Sequence, residues 1–189
     1  MSLVELIEQA DERGLAAGGL ACLDRCLPLL GGDDELLRPL WANLADGSGW
    51  DAGLEKARAA LGSAQPAEDE AAQLARRMLD EAPAERTADA LRQWADACSL
   101  ASLRIHRLLD PAADGTDDAS GVAAGRTGGG AEQSPLVAAE LRRQITVLEL
   151  LAEHGAQGLR RALDVSVEGR RVLRAVVSRR ARGTGAPGE

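Results

Sequence analysis

Three cysteines and two histidines are the residues of this 189-residue chain best suited to chemistry, and their spacing decides which chemistry is open to them. Cys22 and Cys26 stand one helical turn apart, and Cys98 and His106 stand eight residues apart on a second helical stretch. Brought together they would offer three sulfurs and one nitrogen, a donor set that suits tetrahedral zinc. The C-x-x-C pairs typical of structural zinc are absent. The plainer expectation is that the thiols act as small buried hydrophobes and that His106 lies at the edge of an apolar stripe. No cofactor is expected.

Other reaction chemistries fall away on spacing. A di-iron bundle needs Glu-x-x-His pairs, but Leu103 stands three before His106 and Leu151 three before His154. Asp110, Asp114, Gly115 and Asp118 follow part of a calcium loop, yet Ala112 sits at a ligand position and Gly121 takes the place of the bidentate Glu. The only lysine, Lys56, lies in no glycine-rich loop, Gly128 to Gly130 follow no strand, and no Gly-x-Ser-x-Gly elbow occurs. A non-enzymatic protein is expected.

The elements that would position these residues are helices. From Ala84 to Asp110, Leu91, Trp94, Cys98, Ala101, Ile105 and Leu108 recur at three- and four-residue steps between Pro83 and Pro111, which predicts one long amphipathic helix. At ~1.5 Å per residue it spans roughly 40 Å, so the other helices are expected to be arranged along it. Ser2-x-x-Glu5 reads as a capping box for a helix over 3–13. A second helix follows over 15–27, in which Gly18-Gly19 weakens the pattern or admits a close neighbour. Asp33-Asp34 opens a third that Pro39 kinks or delays, and two more are expected over 51–61 and 67–81.

Residues 111–133 are rich in Gly, Ala and Asp and read as a flexible linker. Ser134-Pro135 starts a helix to His154 whose second half is apolar on more than one face, and a last helix runs over 159–180. With no Phe, no Tyr and no alternating β-branched run, the expected fold is an all-α bundle of about eight helices. Its parts are an acidic body over 1–110, the linker over 111–133, a C-terminal hairpin over 134–182 packing on the long helix, and a frayed tail over 183–189.

Charge directs the reading of function. The net charge of −8 divides into −9 over residues 1–110, −3 over 111–133 and +4 over 134–189. An acidic body, and no aromatic residue among the C-terminal arginines, argue against nucleic acid as partner. No apolar run is long enough to span a membrane, and Glu5, Glu8, Asp11 and Glu12 stand where a secretion signal needs a basic start. The odd set of thiols suits a reducing, cytoplasmic setting. The arginines of the hairpin, Arg142, Arg143, Arg160, Arg161, Arg170, Arg171 and Arg174, either neutralise the acidic body or contact a partner. The function expected is interaction, by self-association or with another protein through the C-terminal helices. The alternative is a regulator binding a small molecule or metal near Trp94, Cys98 and His106.

Overall fold

The computed structural model describes residues 1–62, 69–112, 119–129 and 133–184. It is an all-α bundle, and no strand occurs among the described residues. The α-helices are α1 (Leu3–Gln9), α2 (Glu12–Cys26), α3 (Arg38–Asp46), α4 (Trp50–Gly62), α5 (Glu70–Asp80), α6 (Ala88–Leu109), α7 (Ala119–Arg126), α8 (Pro135–His154) and α9 (Leu159–Thr184). Short 3-10 turns at Leu27–Leu29 and Gly155–Gly158 follow α2 and α8.

Local chemistry explains the ends. Ser2 and Glu5 form the expected capping box, and Asp11, Asp69 and Thr87 accept from the first-turn amides of α2, α5 and α6. The long helix therefore starts at Ala88 rather than Ala84, because Thr87 offers the capping oxygen. Pro39 falls in the first turn of α3, where its missing N–H costs nothing, so the helix starts late instead of kinking. Arginines close the other ends. Arg13 donates to the Leu44 carbonyl at 3.1 Å, Arg76 to Leu61 at 2.6 Å and Arg180 to Leu108 at 2.9 Å, while Arg58 reaches the carbonyls of Leu79, Asp80 and Ala82. Each places a positive charge where the helix dipole is negative.

The long helix is not the centre of the bundle. That place belongs to α2, which is buried from Gly14 to Cys26 except at half-buried Gly18 and packs against α6, α8 and α9. The residues from Gly14 to Leu23 contain no polar side chain, and a helix apolar all round must lie inside. The C-terminal pair was expected on the long helix. In the structure α8 packs on α1, α2 and α6, whereas α9 packs mainly on α2 and α8. The apolar second half of α8 is core, with Val147, Leu148, Leu150 and Leu151 buried.

The segment read as a linker carries helix α7, which docks on α6 and α8. Residues 113–118 and 130–132 of that segment, and 185–189 of the tail, lie outside the described residues. The start of the fifth helix, expected at Ala67, falls among 63–68, which also lie outside them.

Gly19 marks the closest approach of α2 to α6. A Cβ there would lie 2.5 Å from Cζ3 of Trp94, a rigid ring held by its own N–H donating to the Met78 carbonyl at 2.8 Å. Gly19→Ala is expected to destabilise the chain by about 1–3 kcal/mol despite the higher helix propensity of alanine, because the ring must move. Denaturant unfolding of the variant checks this.

Candidate functional site

Two neighbouring residues of the central helix are charged, opposite in sign and buried: Asp24 and Arg25. Around them the structure gathers most of its buried polar side chains. Arg25 forms a fork with Glu140 of α8, Nε donating to Oε2 at 2.8 Å and Nη2 to Oε1 at 2.7 Å, with both side chains 0% exposed. The same Nη2 approaches Cys22 Sγ at 3.5 Å, and Nη1 finds no acceptor. A Cβ on Gly169 of α9 would lie 2.4 Å from Arg25 Cδ, so that glycine makes the room in which the arginine stem lies.

Glu140 is the hub of a polar chain between α6 and α8. Ser102 donates to its Oε1 at 2.8 Å and Gln144 Nε2 to the same oxygen at 2.9 Å. Ser99 Oγ donates to Gln144 Oε1 at 2.6 Å, and Arg126 of α7 donates to Ser99 Oγ at 3.1 Å while pairing with Asp96. His106 completes the cluster, its Nδ1 2.7 Å from the Ser102 carbonyl and its Nε2 3.5 Å from Glu140 Oε2. Since a carbonyl only accepts, Nδ1 carries the proton in neutral His106.

Burial alone would push the Glu140 carboxyl up, but the Arg25 guanidinium, with hydrogen bonds from Arg25 and Gln144, holds it at about 2. Burial pushes His106 down, against the pull of Glu140, and the net effect is downward. Arg25 and Glu140 thus neutralise each other beside a neutral imidazole.

Asp24 anchors the opposite side. Trp41 of α3 donates its indole N–H to Asp24 Oδ2 at 2.8 Å, and Arg170 of α9 donates to Oδ1 at 2.6 Å and to the Asp34 carbonyl at 2.9 Å. Arg174 pairs with the Asp34 carboxylate. Burial raises Asp24 above its ordinary value in spite of Arg170 and Trp41, whereas hydrogen bonding to Arg174 lowers Asp34.

The residues singled out from the sequence divide accordingly. Cys22, Cys26 and Cys98 are free, buried thiols. Burial raises all three, Cys22 to about 12. They do not assemble with His106 as a ligand set: among the described residues no three His, Cys, Asp or Glu side chains are placed to hold a metal ion. Trp94 and Cys98 line a groove of 310 Å³ between α5 and α6, with Leu74, Met78, Leu100 and Arg104, whereas His106 faces Glu140. Of the hairpin arginines, Arg170 is buried and Arg174 half-buried in ion pairs with α2 and the segment before α3. Arg142, Arg160, Arg161 and Arg171 are exposed, and Arg143 is half-buried beside Gly169. Asp24, Glu140 and Gln144 were missed. Their signal was a charged pair inside the apolar stretch Leu20–Leu30, and a Glu and a Gln one turn apart on a helix otherwise rich in Leu and Val.

Compared with protein-family models, with curated proteins and with solved structures, the chain matches none. Among the described residues no helix is long and apolar enough to cross a membrane.

Glu140→Gln leaves the Arg25 charge buried without its counter-ion, and a loss of about 3–5 kcal/mol is expected in denaturant unfolding. Replacing Arg25 and Glu140 together by Met and Leu is expected to recover most of it. Acid sensitivity follows from the same groups. The stability from Glu140 is present above pH 4.5 and is lost as pH falls toward about 2. The unfolded chain protonates His106 near 6.5 and the folded chain only at lower pH, so stability declines as pH falls below 6.5. Asp24 acts in the opposite sense below its raised value, since the folded chain takes that proton first. In thermal melts from pH 7 downward, His106→Gln is expected to remove the decline that begins below 6.5.

Proposed function

We propose that this chain is a non-enzymatic protein-interaction module that meets its partner through the outward arginines of α8 and α9. One observation carries the reading. The inward arginines are matched to carboxylates, Arg25 to Glu140 and Arg170 to Asp24, whereas among the described residues Arg142, Arg160, Arg161 and Arg171 meet no carboxylate. The intramolecular neutralisation expected from the sequence thus accounts for Arg170 and Arg174 and leaves the outer four exposed without an ion pair among the described residues, Arg161 lying 3.3 Å from His154 Nε2.

Four exposed guanidinium groups suit an acidic protein surface, because a guanidinium is weakly hydrated for a cation and its planar fork matches a carboxylate. The body of a second copy is itself acidic, so self-association satisfies the same charge rule. The buried cluster supports the non-enzymatic side of the reading, for Arg25 and Glu140 are fully enclosed and each already holds the other. Reduced thiols suit the cytoplasm.

The immobilised full chain is expected to retain an acidic protein, or its own copy, in a form released by salt. The charge-reversed variant R142E/R160E/R171E, with unchanged helical circular dichroism, is expected to lose at least about 10-fold in affinity, since charge at an interface steers association. Equal retention by the two chains overturns the reading. A second reading, a regulator that takes an apolar small molecule, draws on the groove between α5 and α6. Ala101→Trp, which would fill that groove, separates the two by leaving arginine-dependent binding unchanged.

A further inference from the structure

Two side chains of helix α7 reach into the bundle, those of Val122 and Arg126. Val122 packs with Leu103 and Val137 in an apolar cluster separate from the main core. Arg126 is 6% exposed, donates from Nε to Ser99 Oγ and pairs through Nη2 with Asp96. Between Ser120 and Gly125 the other residues are Ser, Gly and Ala, and only Val122 is buried. A segment with so little apolar surface of its own belongs to the low-stability end of a fold. The side chains of α7 that hold it to α6 and α8 are one valine and one guanidinium, and Gln133 adds a hydrogen bond to the Gly121 carbonyl at 2.6 Å.

The corner that receives the guanidinium is built to accept. Glu140 takes the Gln144 amide N–H, which fixes the amide so that its oxygen faces Ser99. Ser99 spends its only proton on that oxygen, so its Oγ presents lone pairs alone to Arg126. Asp96, one turn earlier on α6, adds a carboxylate that is half in solvent. A chain of fixed polarity that starts at a buried carboxylate thus ends in a hydroxyl oxygen and a carboxylate side by side. Such a pair takes a planar cation with two N–H groups and offers nothing to an anion or to a neutral acceptor.

We propose that the Asp96–Ser99 corner is a guanidinium-binding site filled in cis by Arg126, and that α7 is a latch which a guanidinium-bearing ligand displaces. The site lies between α6, α7 and α8 and does not depend on the outer arginines of α8 and α9, so it stands or falls apart from the partner surface proposed above. When α7 lifts, Ser99 Oγ is uncovered beside the already half-exposed Asp96, while the Arg25–Glu140 fork stays closed between α2 and α8.

Two measurements on the full chain test this. In wild-type protein, hydrogen exchange of the amides of α7 is expected to be at least about 100-fold faster than that of α6 and α8 at Ser99–His106 and Glu140–Leu148, the signature of a locally opening unit. Protection of α7 equal to that of α6 overturns the latch. In Arg126→Ala, ethylguanidinium at low millimolar concentration is expected to raise the melting temperature saturably. Ethylammonium, wild-type protein and the double variant D96N/R126A are expected to show no such rise. A rise of the same size in all three proteins, or in none, overturns the site, as does failure of Arg126→Ala to fold, since a latch must be dispensable to the bundle. Tighter binding of N-acetyl-arginine amide assigns the ligand to a peptide, and tighter binding of free arginine assigns it to a small molecule.

Discussion

Three of the helices around the central one are tied to it through a single dipeptide. Asp24 and Arg25 follow one another on the helix at the centre of the bundle, and their side chains leave it in directions about 100° apart, as neighbours on an α-helix must. One is met by α9 and α3, the other by α8. An ion pair enclosed on all sides gains little over an apolar pair of the same volume, because its desolvation offsets its attraction. What it gains is discrimination. Shifting α2 by one residue in one sense would set Asp24 against Glu140, and in the other sense Arg25 against Arg170. The fold would then hold two unpaired buried charges, each costing several kcal/mol, against a total stability of about 5–15 kcal/mol for a domain.

Such a device is useful in a core of this composition. Without Phe or Tyr the interior is mainly Leu and Ala, with a few Ile, Val, Cys and Met and three Trp, and small aliphatic side chains resist sliding poorly compared with large rings. Small residues let helices approach, as Gly19 does under Trp94 and Gly169 does under the Arg25 stem, but smooth surfaces can meet in several registers. The three tryptophans act as pegs against this. Each indole N–H is fixed, Trp41 to Asp24, Trp50 to the Pro83 carbonyl and Trp94 to the Met78 carbonyl, and Trp50 and Trp94 meet edge to face at 6.0 Å. The arginines that close helix C-termini add further fixed points at the periphery.

Periodicity and caps made most of the helices legible, since a stripe such as Leu91, Trp94, Cys98 and Ile105 has one reading and Ser2 with Glu5 has another. The hierarchy among the helices was harder to read. Length drew attention to α6, yet the run from Gly14 to Leu23, with no polar side chain, was the better mark of a centre. Helix α7 was hidden because its own residues barely specify it: a Gly- and Ala-rich octapeptide gains its order from Val122 and Arg126 contacts that composition does not reveal. His106 looked like the margin of an apolar stripe, whereas Ser99, Ser102 and His106 form a second stripe beside it. A polar stripe of that kind is informative only when its partner, Glu140 with Gln144, is known to lie opposite, and pairings over 38 to 45 residues leave no local trace.

The same accounting separates inside from outside among the arginines. Arg25, Arg126 and Arg170 are buried and each meets a carboxylate, and Arg13, Arg58 and Arg76 reach main-chain carbonyls. In a chain with 21 arginines and one lysine, the guanidinium serves wherever a cation must also donate in a plane, a task for which a compact ammonium is poorly shaped. A structural demand of that strength explains the inner arginines without appeal to function. It does not extend to Arg142, Arg160 and Arg171, which are exposed on α8 and α9 and form no ion pair among the described residues. Their charge is open to whatever approaches those two helices.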